Sequence, residues 1–405
     1  MNAMTLVVDR LHAGYVGACG NTWIETPSLD RLTSESIIFE RCLIESPRLD
    51  DLCRSYWQGW PPLCGPDLSP DRPSLASLLA AAGIATTLLT DEPAVAGHRL
   101  SGAFCSVARL DLPAYAPVAD CVEETHLGRC FARIVDWLES AREPFLLWCH
   151  LTGLGGPWDA PLEFRARYAE DDDPDPPDSA EVPCLMLEED YDPDQLLGIS
   201  QAYAGQVSLL DVCVGALLEF FQASPVGQST LLTLLSARGF PLGEHRRVGA
   251  CDQSLYGELV HVPLWMRFPG SLGESVRSQA LVQPADLCPT LLDWWGIADP
   301  PGSPATASLM SLAREEVESI RDRLCIVGDG PERAIRTPAW YLREAARPEL
   351  FAKPDDRWEV NNVADRCDNV VRLLQDAFSD YERSIQQENI GNMRSLDEIL
   401  LTGVG

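Results

Sequence analysis

The sequence predicts an α/β fold, because short apolar runs that are typical of buried strands alternate along the chain with segments of helical spacing. The first apolar run, residues 5–8, is followed directly by the carboxylate of Asp9. A buried strand here puts Asp9 at the strand's carboxyl end, where open α/β sheets bind their ligands. A chain of 405 residues, of which 46% are hydrophobic, can bury the core of one large domain and a smaller one.

The segment after Asp9 carries signals for a helix and a second strand. Thr26 suits the N-cap of a helix, and Pro27 suits its first position. Residues 37–39, Ile-Ile-Phe, predict the second strand. These elements continue the alternation that the fold class requires.

Later segments repeat the same pattern of helix and apolar strand. Helical spacing covers residues 73–83, 129–141 and 196–221, and apolar runs predict strands at Ala85–Thr90, Phe145–Leu151 and Thr230–Leu235. A proline-rich linker is predicted at residues 300–304.

The charge of the chain limits its partners. Its 31 Lys and Arg residues against 61 Asp and Glu residues give a net charge of −30. Nucleic acid and anionic membranes would be repelled, so neither is expected as a partner. No apolar run is expected to be long enough to span a bilayer. The short apolar tail at residues 396–401 is interpreted as a packing contact or a contact in a homo-oligomer.

The cysteines and the start of the chain favour a cytoplasmic protein. Fourteen cysteines are scattered without a CxxC pair or a zinc-type spacing. Those inside apolar runs are expected to be reduced core residues: Cys42, Cys149, Cys213 and Cys288. The first strand begins within five residues of Met1, which leaves no room for a signal peptide.

Residues 170–194 form an acidic, proline-rich insertion. Such a composition cannot bury enough apolar surface to order itself, so a solvated surface loop is predicted. A weak calcium site is the alternative, although the segment lacks the glycine and the spaced ligands of an EF-hand loop.

Several segments together resemble one protein family. The stretch "LVVDRLHAGYVGACGNTWIETPSLDRLTSESIIFERCLIESP" is similar to the N-terminus of the sulfatase family, within the alkaline phosphatase superfamily. The strings "PSLASLLAAAGIATTLLT", "ELVHVPLWMRFPG" and "LVQPADLCPTLLDWWGI" resemble later segments of that family in the same order. The resemblance covers nearly the whole chain.

The resemblance implies a particular architecture. The family fold is a large mixed, mostly parallel sheet sandwiched by helices, with a small C-terminal subdomain of antiparallel sheet plus helix. Here the main domain is expected at residues 1–300 and the subdomain at residues 301–405. The strings "RAIRTPAWYLRE" and "ELFAKPDDRWEVNNVADR" resemble the small sheet, and residues 370–387 resemble its closing helix.

The positions that would hold the family's divalent cation, calcium or magnesium, are mostly replaced. Asp9 matches the first metal carboxylate of the family, but the second falls on Arg10. The later ligand pair falls on Ala237 and Arg238. Arginine cannot deprotonate to ligate a metal, and a single carboxylate will not hold a hard cation against water. No metal and no other cofactor is therefore expected.

The nucleophile of the family is also missing. Counting from Ser46-Pro47, the nucleophile position falls on Leu49, which has no nucleophilic atom. The arginine of the motif falls on Cys53, and Arg54 comes one residue later. Cys53 cannot be a formylglycine precursor, because Ser55 and Trp57 stand where the motif requires proline and arginine. A buried structural thiol is expected instead.

The family's basic residues are replaced as well. Its Lys-x-His falls on Asp91 and Pro93, and His98, five residues further on, is interpreted as a surface-loop histidine. Its His-x-Pro-His falls on Thr152 and Gly155. His150 is interpreted as a core or strand-end histidine, and His245 as part of a loop scaffold.

These replacements lead to a hypothesis about the old cation site. Arg10 and Arg238 are expected to fill the volume of the cation and to pair with Asp9, because buried charges must be paired. Asp50, Asp51 or Asp91 is expected nearby. The chain is then a sulfatase-like protein that lacks sulfatase catalysis and binds a small anionic ligand, a protein partner or its own copy.

An active hydrolase or transferase of sulfate or phosphate esters is the alternative. Its rebuilt site would draw on Asp9, the Asp50-Asp51 pair, Cys53 and either His98 or His245. Only the paired acids favour it, and such pairs at turns are more often solvated or capping groups. A conventional site elsewhere is not expected, because no Cys-x-Pro-x-Arg or Ser-x-Pro-x-Arg string occurs.

Overall fold

The computed structural model describes residues 1–64, 72–112, 117–250, 252–300, 305–387 and 393–403. The chain forms two compact units. The first consists of residues 1–38, 80–251 and 262–277, and the second of residues 39–79, 252–261 and 278–405. The predicted boundary at residue 300 stays a prediction, and the predicted linker lies outside the described residues except for Pro300.

The strands of the described chain lie mostly in apolar runs. They are β1 Asn2–Val8, β2 Ile37–Leu43, β3 Ala85–Thr90, β4 Ser106–Arg109, β5 Phe145–Leu151, β6 Leu185–Met186, β7 Thr230–Leu235, β8 Arg247–Val248, β9 His261–Val262, β10 Leu264–Arg267, β11 Val276–Val282, β12 Leu324–Val327, β13 Arg333–Arg336, β14 Trp340–Glu344 and β15 Pro348–Ala352. The predicted strands β3, β5 and β7 are found at the predicted bounds.

The helices follow the segments of helical spacing. They are α1 Pro27–Ser34, α2 Leu49–Gln58, α3 Leu75–Ala81, α4 Pro93–Ala96, α5 His126–Glu139, α6 Leu162–Ala166, α7 Pro193–Ala223, α8 Pro225–Gln228, α9 Gly257–Val260, α10 Leu287–Trp294, α11 Met310–Ala313, α12 Asp368–Gln386 and α13 Glu398–Thr402.

The sheet of the first unit is mixed and mostly parallel, as expected for the α/β fold class. Its strands run in the order β2, β10, β7, β1, β5, β3, β4. β1 is parallel to β5 and β7, and β3 is parallel to β4 and β5. β10 is antiparallel to both of its neighbours, β7 and β2. Helices α1, α5 and α7 contribute buried side chains to one apolar core with β1 and β5.

The register of the parallel strands brings three polar ends together. Val7 of β1 and Thr90 of β3 both stand opposite His150 of β5. The backbone N–H of Asp9 continues this ladder and donates to the carbonyl of Leu151 at 3.0 Å. Because the carboxyl ends of parallel strands meet at one edge, the residues after β1, β5 and β3 become neighbours.

Helix α1 begins as predicted but is capped differently. Thr26 is its N-cap and Pro27 its first residue. The Thr26 hydroxyl does not cap the helix but accepts the N–H of Gly17 at 3.0 Å. The carboxylate of Asp211, on α7, instead accepts the first N–H groups of the helix, from Ser28 at 3.1 Å and from Leu29 at 2.8 Å.

Helix α7 corrects one expectation. It has 31 residues and a mean hydropathy of 1.5 in its most apolar stretch, so it is long and apolar enough to cross a bilayer by these two measures. The expectation that no apolar run has this length is therefore wrong. However, 72% of that stretch is buried inside the protein, as in the central helix of a soluble domain.

The acidic insertion is mostly exposed and contains little regular structure. Its short strand β6 pairs with β8, and α7 begins at Pro193 within its last residues. The prediction of a solvated surface loop agrees with this exposure. The calcium alternative stays a prediction.

The second unit contains the expected small antiparallel sheet and closing helix. The sheet has the order β12, β13, β14, β15, and all neighbours are antiparallel. Leu342 of β14 and Leu374 of α12 are fully buried in one core. Leu400 of the apolar tail is also buried there, and the indole of Trp340 donates to the carbonyl of Ile399 at 2.8 Å. The tail is therefore a packing contact within the chain.

Candidate functional site

The carboxylate of Asp9 is held by arginine at the edge of the first sheet. Asp9 is 4% exposed and follows β1. Arg238, after the end of β7, donates from Nε to Oδ1 at 3.2 Å and from Nη2 to Oδ2. The backbone N–H of Arg10 donates to Oδ1 at 3.0 Å. The hypothesis that Arg238 pairs with Asp9 agrees with this geometry.

Opposing effects set the ionisation of Asp9. Burial acts to raise its pKa, but the charges of Arg238 and Arg10 outweigh burial and lower it. Asp9 is therefore a carboxylate at neutral pH. Both of its oxygens are engaged by hydrogen-bond donors.

The backbone around Arg10 is tightly fixed. Arg10 has a φ of 66°, which is unusual for a residue other than glycine and often marks a functional site. The hydroxyl of Tyr203 donates to the Arg10 carbonyl at 2.7 Å and accepts the N–H of His12 at 2.8 Å. The guanidinium of Arg10 donates to the carbonyl of Gly239 at 3.5 Å.

The loop after β5 approaches this turn so closely that it requires glycine. Gly153 has a φ of 58°, and a Cβ there would lie 2.5 Å from the carbonyl oxygen of Asp9. A Cβ on Gly155 would lie 2.9 Å from Cγ of Arg10. The family position that falls on Gly155 therefore has no room for a side chain beside Arg10 in its present rotamer.

His150 contributes an imidazole buried beneath the site. It lies in β5, is 0% exposed and is influenced by the charges of Asp9, Asp91 and Arg238. Burial, aided by Arg238, lowers its pKa to about 4, so the ring is neutral at pH 7. The interpretation of His150 as a core or strand-end histidine is consistent with this burial, but no sequence pattern indicates that His150 lies near Asp9.

Asp91, on which the resemblance places the family lysine, is engaged by residues other than Asp9 and Arg238. It accepts the N–H of Thr152 at 2.8 Å, the Thr152 hydroxyl at 2.5 Å and Nε2 of His126 at 2.6 Å. Burial acts to raise its pKa, but the hydrogen bonds from His126 and Thr152 outweigh burial and lower it. Sequence reasoning did not identify His126 as a candidate site residue. The signal that could have found it is its spacing of four residues, about one helical turn, from Cys130.

The remaining acids and the cysteine of the rebuilt-site alternative lie in the second unit. Leu49 is the first residue of α2. Asp50 is exposed and lies 3.7 Å from Nε of Arg54, while buried Asp51 accepts from the Ser46 hydroxyl at 2.8 Å and from Arg54. These acids occupy the first turn of a helix and pair along it, which is an ordinary structural arrangement. Cys53 is 1% exposed, as expected for a structural thiol.

His98, His245 and Ala237 are the remaining residues that the sequence analysis singled out. His98 is 7% exposed, so the expectation of a surface-loop histidine is wrong. Its Nδ1 accepts the N–H of Leu100 at 3.2 Å, which fixes the turn after α4 and explains the burial. His245 is half-buried in the loop between β7 and β8, and Ala237 is fully buried. Glu244 precedes His245, and its Oε1 lies 3.0 Å from Nε2 of His12.

The cysteines predicted to be core residues are buried. Cys42, Cys149, Cys213 and Cys288 are all buried and form no disulfide among the described residues. Cys251 lies outside the described residues.

The residues around Asp9 do not fit a divalent cation. A guanidinium engages both oxygens of Asp9, Arg10 adds a second positive charge, and Ala237 offers no side-chain donor. A hard dication requires several oxygen ligands and is repelled by neighbouring cations. No chemical step is therefore assigned to a metal at this position.

The mixed α/β sheet of the first unit is the architecture of a known class of proteins. The sequence model of the family "Sulfatase" matches residues 2–297. The chain therefore belongs to the sulfatase family of the alkaline phosphatase superfamily. That family typically uses a divalent cation.

Curated relatives are similar to only part of the chain. Human iduronate 2-sulfatase is 25% identical over 267 residues, which is 54% of this chain and 47% of the relative. The N-acetylglucosamine-6-O-sulfatase of Bacteroides thetaiotaomicron is 31% identical over 99 residues, 24% of this chain and 17% of the relative. The chain thus matches less than half the length of these relatives.

Solved structures are similar over nearly the whole chain. The phosphonate monoester hydrolase of Agrobacterium radiobacter has a TM-score of 0.76 at 16% identity, covering 95% of this chain and 96% of that one. A 2-O GAG sulfatase has a TM-score of 0.75 at 20% identity, covering 98% and 94%. At this identity the likeness shows the fold alone.

Proposed function

We propose that this member of the sulfatase family does not hydrolyse sulfate esters and instead binds a small anionic ligand at the edge formed by Asp9, Arg10 and Arg238. The observation that carries the proposal is the two-point hydrogen bonding of Arg238 to Asp9. The same carboxylate would have to ligate the cation in a working family site. The nucleophile position, Leu49, offers no attacking atom.

The energetics support a permanent guanidinium at this position. A cation from solution would have to displace Arg238, which the chain tethers beside Asp9, and leave that charge without its carboxylate. Removing one partner of a buried ion pair typically costs about 3–5 kcal/mol. The charge of Arg10 would add repulsion to the incoming dication.

The charges favour an anion. The charges of Arg238 and Arg10 both act on Asp9, and His150 is neutral at pH 7, so among these four residues the positive charges outnumber the negative one. Guanidinium groups match the geometry of sulfate, phosphate and carboxylate oxygens. Arg238 remains partly accessible, with 12% of its side chain exposed.

A hydrolysis assay tests the absence of catalysis. The purified chain would be incubated with aryl sulfates and aryl phosphates in the presence of calcium, magnesium, manganese or zinc. We expect no turnover above the buffer blank. Turnover that is lost in Asp9→Ala would overturn the proposal and favour the rebuilt-site hydrolase or transferase.

A binding assay tests the anion site. Calorimetry with sulfate, phosphate and phenyl sulfate should detect binding that is lost in Arg238→Ala. Asp9→Asn should instead strengthen binding, because it removes the competing carboxylate and leaves the guanidinium in place. Arg133→Ala, on the exposed face of α5, is the matched control and should bind like the wild type. If no anion binds, or if the Arg238 variant still binds, a protein partner becomes the better candidate.

A further inference from the structure

A second polar cluster lies at the start of helix α5. Asp91, His126 and Cys130 each offer one ligand atom, and these atoms all lie within 4.8 Å of one another. His126 is the first residue of α5 and Cys130 lies four residues further, so both project from one face of the helix. Asp91 comes from the end of β3.

A second carboxylate is directed at the same helix start. Asp159 is 0% exposed, and its Oδ2 accepts the backbone N–H of His126 at 2.6 Å. Asp159 therefore holds the first residue of α5, which carries the His126 imidazole, in a fixed position beside Asp91 and Cys130. Hydrogen bonds of this kind position the ligands of metal sites.

Asp91 is already oriented by the chain. The N–H of Thr152 holds Oδ1 at 2.8 Å, and the Thr152 hydroxyl reaches Oδ2 at 2.5 Å. Supporting hydrogen bonds of this kind orient the carboxylates of metal sites. The cluster therefore contains three potential metal ligands, and one of them, Asp91, is oriented by hydrogen bonds from Thr152.

The chemistry of the donors selects the metal. Imidazole nitrogen and cysteine sulfur suit zinc, whereas calcium and magnesium prefer oxygen ligands. We propose that Asp91, His126 and Cys130 bind Zn²⁺, with a water molecule as the fourth ligand. This proposal departs from the sequence-based expectation of no metal, because Asp91 reaches the cluster only through the fold.

Binding requires two small changes. The Nε2 of His126 now lies 2.6 Å from Oδ2 of Asp91, and a tetrahedral zinc ion would separate these atoms to about 3.3 Å. The Zn–S bond forms at the expense of the S–H bond, so Cys130 releases its proton to solvent as the metal enters. The proposal is independent of the anion site at Asp9.

Cobalt substitution tests the proposal directly. The full chain would be freed of metal with a chelator and titrated with Co²⁺, which reports thiolate ligation by a charge-transfer band in the near ultraviolet. We expect this band to saturate at one equivalent and to be displaced by Zn²⁺. Cys130→Ser should lose it, and Cys184→Ser, which removes an exposed cysteine elsewhere, should keep it.

Stability and the positioning of His126 by Asp159 provide further readouts. Zn²⁺ should raise the melting temperature of the wild type but not that of Cys130→Ser. Asp159→Asn should weaken zinc binding about 10–100-fold, on the scale of other supporting groups in metal sites. A wild-type chain that gives no thiolate band overturns the proposal, even if the variants fail to fold. A band that persists in Cys130→Ser overturns it as well, and the Asp91–His126 contact is then an ordinary structural ion pair.

Discussion

At the scale of single residues, the Asp9 site shows what residue identity can reveal. Arginine at positions 10 and 238 excludes two oxygen ligands, which can be seen in the sequence alone. The pairing of Arg238 with Asp9 also follows from the rule that buried charges need partners. The position of the His150 imidazole near Asp9 could not be predicted in this way. A histidine within an apolar strand has the same sequence pattern whether it lies beside a site or in the core.

The ionisation of His150 predicts a loss of stability in acid. Its pKa is lowered from 6.5 to about 4 in the folded chain, so below pH 6.5 the unfolded state binds a proton that the folded state does not. The resulting stability is fully present above pH 6.5 and is lost as the pH falls towards 4. The difference corresponds to about 3 kcal/mol.

Urea unfolding at several pH values checks this expectation. Between pH 6 and 4.5, the free energy of unfolding of His150→Gln should fall less steeply with decreasing pH than that of the wild type. The two slopes should differ by up to one bound proton, which corresponds to about 1.4 kcal/mol per pH unit. Val107→Gln, at an exposed and non-titratable position of β4, serves as the control and should keep the wild-type slope. Equal slopes for His150→Gln and the wild type would contradict the assignment.

At the scale of elements, continuous apolar runs predicted the buried strands best. β3, β5 and β7 were found at the predicted bounds because a strand that is buried on both faces is apolar throughout. Helix starts were less predictable, since capping residues lie outside the apolar repeat. Helix α5 begins three residues before the predicted position because Thr125 caps it, with its side chain accepting the N–H of Gly128 at 3.0 Å.

The cap of α1 leads to a prediction at the same scale. Because Asp211 satisfies two N–H groups at the start of this helix, Asp211→Ala should lower the free energy of unfolding by about 1–2 kcal/mol. Asp211→Asn should recover part of the loss, since one amide oxygen can still accept. Chemical denaturation would measure both. Asp136→Ala, on the exposed face of α5, is the control, and a similar loss there would argue against the capping role.

At the scale of the whole molecule, the family and the fold class could be predicted because ordered segments spread over the chain carry them. The residues of the candidate site could be predicted only at positions that the resemblance to the family motifs picks out, whether the family residue is kept there or not. Asp159 belongs to no such position, and Asp211 caps a helix 182 residues away in sequence. Contacts of this kind depend on how the strands align, which no local pattern records.

The charge of the whole chain predicts its behaviour towards membranes. A net charge of −30 and the burial of α7 in the core should keep the protein away from lipid. In a flotation assay it should stay in the soluble fraction with both anionic and neutral vesicles. Flotation with neutral vesicles would mean that α7 leaves the core and would contradict this description of the helix.

The close approach of Gly155 to Arg10 has a consequence for any attempt to build the family motif into this chain. A histidine at position 155, where the family motif has one, would meet Arg10 at its first side-chain atom. A variant with this histidine therefore also needs a change at position 10 while Arg10 keeps this rotamer. The two positions have to be engineered together and not one substitution at a time.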